Sequence, residues 1–225
     1  QALLYAFNQE DFLNATVGDP AYYKICKAMF ICDTPLETEA GYEDKLESNF
    51  KKARELVKEA GYDGTPILLM HSTDLAALTN LAPVAKDLME KIGLKVDMQS
   101  MDWQTLVGRR NKKEPPSEGG WNAFLTAWNS VDNASPLTTP FANAACEKAL
   151  FGWPCDDKIQ QLRDDYARAT DPKEQFKIAE ALQIRVSESP THIHLGQYYV
   201  PFAMGKNISG AVKSPVPVFW GYKKD

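Results

Sequence analysis

The densest group of chemistry-bearing side chains is the run Trp128-Asn129-Ser130-Val131-Asp132-Asn133-Ala134-Ser135-Pro136. It sets an indole face beside a carboxylate and two carboxamides. An indole offers apolar contact or cation–π attraction, and a carboxylate pairs naturally with an ammonium group. That combination suits recognition of an amine-bearing ligand by Trp128, Asn129, Asp132 and Asn133. The plain structural alternative is a core tryptophan with Asp132 capping a turn. Arg109 and Arg110 could answer a ligand carboxylate, although their lysine-rich surroundings also suit a solvated helix face.

His192 and His194 stand two apart, so on a strand they share a face. Two imidazoles can begin a metal site, but the segment supplies no carboxylate or thiol as a third ligand, and no metal ligand is assigned. A polar strand face or a domain contact is the expectation, and His71 stands alone. Gly-x-Ser-x-Gly, Walker, His-Glu-x-x-His and Gly-x-Gly-x-x-Gly patterns are missing from the sequence. No nucleophile has a recognisable base beside it, so no catalytic residue and no cofactor is assigned. The competing class is a secreted α/β hydrolase-like enzyme with His192 or His194 as base.

These candidates need a scaffold, and the hydrophobic pattern describes one. Residues 2–13 are helical in pattern and lead into a loop holding the first cysteine pair. Residues 44–60 form an amphipathic helix, with Leu46, Phe50, Ala53, Leu56, Val57 and Ala60 at steps of three and four and Gly61 at its stop. The period then changes: residues 67–70 read as a buried strand bounded by Gly64 and Pro66. The helix after it ends at Ile92 and Gly93; its regular part begins near Asn80, which puts Pro83 in its first turn. Leu94, Val96 and Met98 alternate with polar residues as a second strand, Asp102 opens a helix to about Lys112, and residues 121–128 form a third strand. Strand, helix, strand, helix, strand with short links predicts parallel βαβ units. The acidic and amide groups then lie just beyond the carboxyl end of the third strand, where open α/β sheets bind ligands.

Residues 129–154 show no periodicity, and a segment of that length inside a domain is either functional or disordered. Its cysteines and aromatics point to order. Helices follow at 156–168 and 171–189, the second announced by Asp171 at the cap, Pro172 and Glu174. Residues 191–199 alternate as a strand, and the last 25 residues suit short strands or extended chain.

Composition narrows the class. With 44% hydrophobic and 24% charged residues the chain can build a core, which excludes disorder. A formal net charge of −5 argues against a nucleic-acid or anionic-membrane surface. No apolar run approaches the roughly 20 residues that span a bilayer. The chain opens inside an apolar helical pattern, without Met or leader, and reads as cut from something longer. Its four cysteines, Cys26-x5-Cys32 and Cys146-x8-Cys155, match neither zinc spacing nor a C-x-x-C redox motif. Three disulfide connectivities are open, of which local pairing orders the least chain; four free thiols in a cytosolic protein are the alternative. Disulfides would mean an oxidising compartment. Local loops of this size contribute roughly 2–3 kcal/mol each on the chain-entropy account.

The stretches QALLYAFNQEDF, KARELVKEAGYDGTPILLMHSTD, APVAKDLMEKIGLKVDMQSMDWQTL, GGWNAFLTAW, FGWPCDDKIQQLRDDYARATDP and PTHIHLGQYYVPFAMGKNISG, taken in order, resemble the dipeptide- and oligopeptide-binding proteins of ABC importers, extracellular solute-binding family 5. The series covers nearly the whole chain and maps onto the second half of such a protein. It implies an α/β, periplasmic-binding-protein-like lobe with a mostly parallel sheet flanked by helices. Residues 1–190 would be the second ligand-binding lobe, and residues 191–225 return strands crossing towards an absent first lobe. It also implies a monomeric protein, periplasmic or extracellular and membrane-associated, that passes a small peptide or similar amino-bearing solute to permease subunits, with no cofactor, no nucleic acid and no membrane insertion, and with both cysteine pairs as disulfides. In the family an aspartate shortly after a Trp and ahead of a Pro grips the peptide's free amino group; Trp128, Asp132 and Pro136 match. Here Asp132 stands four after the Trp rather than three, and Asn133 occupies the place of an aromatic.

Overall fold

The computed structural model describes residues 1–224; Asp225, the last residue of the expected return segment, lies outside the described residues. In chain order, helices α1 (Ala2–Ala6) and α2 (Gln9–Thr16) precede a two-residue strand β1 (Tyr23–Lys24). Helix α3 (Phe50–Glu59), strand β2 (Ile67–Ser72), helices α4 (Ala76–Thr79) and α5 (Leu81–Lys91), strand β3 (Val96–Met101), helix α6 (Trp103–Arg109) and strand β4 (Ala123–Phe124) follow. Helices α7 (Asp157–Arg168) and α8 (Pro172–Glu188) lead to short strands β5 (Gln197–Tyr198), β6 (Ile208–Ser209) and β7 (Lys223–Lys224).

Strand β2 is the centre of a three-stranded parallel sheet of order β3-β2-β4, with Leu69 opposite Met98 on one side and Ala123 on the other. Leu68, Leu69 and Met70 are all buried, which is why this strand reads as a continuous apolar run instead of alternating. Leu69 faces a core built with Leu81, Ala85, Leu88 and Met89 of α5 and Leu4 of α1. Leu68 and Met70 face the other way, onto Leu106 of α6. Helix, sheet, helix is thus the layering expected of the βαβ units. Asn80 precedes α5 and Pro83 sits in its first turn, where a missing N–H costs nothing. Asp102 caps α6 by accepting from Thr105 N–H at 2.9 Å, and Asp171 caps α8 ahead of Pro172.

The helix expected at 2–13 is broken at Phe7 and Asn8, the helix expected to about Lys112 ends at Arg109, and three further elements are shorter. The helix expected at 44–60 begins at Phe50, because Leu46 and Ser48 take left-handed backbone angles, φ 61° and 56°. Leu46 still enters the core, and its N–H donates to Leu4 O at 2.7 Å, so the apolar period persists without a helix. The strand expected at 121–128 pairs regularly only at Ala123 and Phe124, beyond which the chain leaves the ladder with β2. Of the strand expected at 191–199, only β5 pairs, antiparallel to β1. The left-handed Gly196 (φ 99°) bends the chain just before it, and a Cβ there would come within 2.6 Å of Leu13.

A second core joins α7 and α8 through Ile159, Leu162, Tyr166, Ala179, Leu182 and Val186, with Phe30 of the first cysteine loop against it. Both local disulfides are formed, Cys26–Cys32 and Cys146–Cys155. Two buried glutamines hold the first loop. Gln9 accepts from Cys26 N–H and donates to Cys26 O, both at 2.6 Å. Gln183 of α8 accepts from Met29 N–H and donates to Thr38 O and Ala40 O, each at 2.9 Å. These amides satisfy loop backbone that would otherwise be buried without partners.

Candidate ligand-binding cleft

A cavity of about 1790 Å³ opens beyond β4. Its lining takes in residues 121–130, the loop around 150–154, residues 190–202 and 211–218, and apolar side chains of α1, α3 and α5 such as Leu4, Val57 and Leu81. Its floor is held from β4: Asn122 exchanges two hydrogen bonds with Leu68, N–H to O at 3.1 Å and Oδ1 from N–H at 2.8 Å. Phe124 packs on Trp121 and on Phe151, centroids 5.1 and 5.5 Å apart, which seats the Cys146–Cys155 loop against the sheet. Arg110 backs that wall, its guanidinium carbon 4.1 Å from the Phe151 centroid, and burial pushes its pKa down.

Trp128 and Asn129 line the cavity, and Trp128 remains 40% exposed. From Trp128 a line of rings runs inward. Phe141 meets Trp128 edge-on at 5.6 Å and stacks on His192 at 4.7 Å; His192 lies 6.0 Å from His194, which meets Tyr42 edge-on at 4.7 Å. Edge-on and stacked pairs at these distances hold one another's orientation. Asp132 and Asn133 stand one short helical turn (Ser130–Asn133) behind the wall, not on it. Asn133 Oδ1 accepts from Thr139 Oγ1 at 2.8 Å, folding the loop on itself. The half-buried Asp132 carboxylate has no hydrogen bond or salt bridge among the described residues.

Arg109 does not join this group. Its Nε and Nη2 donate to Gly119 O and Gly120 O at 3.0 and 2.8 Å, and Nη1 donates to Gln99 Oε1 at 2.6 Å. The guanidinium is a brace between β3 and the turn before β4, with three of its five N–H donors engaged by protein acceptors. Gly120 in that turn leaves no room for a side chain, since a Cβ would lie 1.7 Å from Glu114 O.

His192 and His194 are held neutral by burial. Burial pushes His192 down to about 3, with His194 beside it adding to the effect. Burial takes His194 down to about 4, against the opposing hydrogen bond to Lys27 O. Among the described residues the ring partners are Thr191 Oγ1 for His192 and Lys27 O for His194. Among the described residues no three His, Cys, Asp or Glu side chains cluster to hold a metal. Sequence reasoning missed Phe141 and Thr191; the first lies in an aperiodic stretch and the second carries no motif, so only the folded contacts reveal them.

Residues 1–148 match the family described as bacterial extracellular solute-binding proteins, family 5, middle region. The chain belongs to this family. A probable peptide ABC transporter periplasmic-binding protein of Sinorhizobium fredii is 32% identical over 100% of this chain and 42% of its own length. The oligopeptide-binding protein AppA of Bacillus subtilis, solved with a nonapeptide, superposes with a TM-score of 0.71 at 18% identity, covering 100% of this chain and 46% of that one. A periplasmic oligopeptide-binding protein of Thermotoga maritima, solved with mannohexaose, gives 0.68 at 13% identity over 88% of this chain and 40% of that one. The family shares the periplasmic-binding-protein-like α/β fold expected from the sequence. This chain spans less than half the length of the curated relatives it matches, 42% and 40%.

Proposed function

We propose that this chain is the ligand-gripping part of the substrate-binding component of an ABC importer, which captures a small peptide or similar amino-bearing solute outside the cytoplasmic membrane and passes it to permease subunits as a monomer. The observation that carries this reading is the aromatic-walled cavity with the free Asp132 carboxylate just behind its rim. Trp128 supplies an apolar face, Asn129 a polar group on the wall, and Asp132 a charge partner for the ligand's ammonium group. Asn133 keeps the Asp132 turn in shape, and Arg109 keeps the β4 turn in shape without touching ligand.

Residues 1–190 act as one lobe in this reading, and residues 191–225 cross towards the other. Segment 191–198 is stitched to the lobe: His194 O accepts from Gln9, and Gln197 Oε1 accepts from Cys32 N–H. Beyond it Val200, Phe219 and Trp220 are 78%, 71% and 80% exposed, a surface suited to contact with the rest of the protein. No helix among the described residues is long and apolar enough to cross a membrane. The two disulfides suit an oxidising compartment.

The test is calorimetric unfolding of the full-length protein with a panel of short peptides, followed by mass spectrometry of the peptides. Ligand at a hundredfold its Kd stabilises by about 2.7 kcal/mol, so a clear rise in Tm with intact peptide is the expected result. Peptide cleavage, or no shift with any member of the panel, would sink the reading.

A further inference from the structure

We propose that His192 is a specificity residue of the cleft: its Nε2 lone pair accepts a hydrogen bond from a ligand N–H or O–H that lies next to the group contacting Trp128 and Phe141. This rests on the reading of the cleft as a solute site, and it adds a neutral acceptor to the Asp132 charge.

The Thr191 hydroxyl donates its single proton to Phe141 O at 2.8 Å. Towards His192 Nδ1, 3.1 Å away, that oxygen can therefore only accept, so Nδ1 carries the ring proton. A neutral imidazole has one N–H, which leaves Nε2 as a lone pair. No protein donor reaches Nε2 among the described residues. His192 lines the cavity, and the stack on Phe141 at 25° holds its ring in plane.

His194 is locked in the opposite tautomer. Its Nε2–H donates to Lys27 O at 2.6 Å, and its Nδ1 is buried with no donor. It therefore has no proton to offer His192, and the two rings cannot satisfy each other. A donor from outside is what His192 lacks. A cavity-facing acceptor of this kind rejects analogues without the matching donor more strongly than apolar walls reject a change of size.

The experiment uses full-length protein labelled with 15N-histidine and trialanine as probe. In the free protein, long-range 1H–15N spectra should show His192 protonated at Nδ1 and bare at Nε2. Saturation with trialanine should move the His192 Nε2 resonance and leave His194 Nδ1 in place. By calorimetry His192→Phe, which keeps a flat ring on Phe141, should weaken trialanine about tenfold, while His192→Gln, which restores an acceptor, should recover most of that loss. An Nε2–H tautomer, an unmoved resonance at saturation, or equal affinity in His192→Phe overturns the proposal. Should wild-type protein bind no trialanine, that peptide is excluded as a ligand and the solute reading is decided by the wider panel. His192 is then judged on the free protein, where a bare Nε2 sustains its role as acceptor and a protonated one overturns it.

Discussion

Asp156 divides its carboxylate between two helices. Oδ1 accepts from Lys158 N–H and Ile159 N–H, both at 3.0 Å, and so caps α7; Oδ2 accepts from Arg185 of α8 through Nη2 at 2.7 Å and Nε at 3.1 Å. The residue follows Cys155 directly, so one side chain ties the helix pair to the loop that forms a cleft wall. Burial alone would raise the Asp156 pKa, but the Arg185 guanidinium and the Ile159 N–H override it and hold the carboxyl below its ordinary value.

Removing that carboxylate should separate the two duties. Asp156→Ala loses both cap and ion pair and leaves Arg185 without its main partner; a cost of about 3 kcal/mol is expected. Asp156→Asn keeps a capping oxygen and should cost clearly less. Urea unfolding of the two variants measures the difference, and equal losses would show that the cap contributes nothing.

Acid should destabilise the fold in two stages. His192 and His194 have folded values near 3 and 4, below the ordinary 6.5. Between those limits the unfolded chain binds protons that the folded chain refuses, so stability falls as pH drops below about 6.5 and the loss is complete near the folded values. Asp156 adds a second loss below about pH 4, because its folded carboxyl is held lower than the unfolded one. Tm measured from pH 7.5 to 4.5 should decline, and more gently in His192→Phe. Identical slopes would mean that the imidazole is not buried neutral.

The βαβ scaffold was legible because its signals are local. Three strand segments, Asn80 and Pro83 at the start of α5, and aspartates 102, 156 and 171 at helix starts all follow from neighbours in the chain. What the sequence hid was long-range. The lost first turn of α3 depends on Leu46 bonding to Leu4, and the weakness of residues 121–128 as a strand depends on how far β2 can pair with them. The site divides the same way. Trp128 and Asn129 were visible as a motif, whereas Arg109 as a brace, Phe141 as a stacking partner and the Thr191–Phe141 bond behind the His192 tautomer join residues at least ten positions apart. Gln9 and Gln183 look like ordinary surface amides in sequence and are buried supports of the first cysteine loop.

The disulfides should matter unequally to ligand and to fold. Unreduced, denatured protein should show no titratable thiol, since all four cysteines are paired. Cys26–Cys32 lies buried beside Gln9, while Cys146–Cys155 closes the loop carrying Leu150 and Phe151 onto the cleft wall. Replacing both Cys146 and Cys155 by Ala should cost roughly 2–3 kcal/mol and also weaken ligand, because the loop ends are no longer held together. The double Ala variant at Cys26 and Cys32 should cost a similar amount of stability with ligand affinity unchanged at temperatures where it is folded. Binding equally weakened in both would remove the link between the second bridge and the cleft.

In the proposed function, Asp132 is the charge on which amine selection would turn. Its carboxylate has no hydrogen bond or salt bridge among the described residues, and the Ser130–Asn133 turn sets it behind Trp128 and Asn129, with Thr139 fastening that turn through Asn133. A ligand ammonium drawn to it would leave its adjoining chain along the Trp128–Phe141–His192 wall. Asp132→Asn keeps the shape and removes the charge, so peptides with a free amino terminus should bind roughly 10–100-fold more weakly in full-length protein, the range of a hydrogen bond to a charged group. N-acetylated peptides carry no ammonium and should change little. Titration calorimetry of each pair, free and acetylated, reads the difference directly. Equal weakening of both would assign Asp132 to holding the loop and leave the amine to another partner.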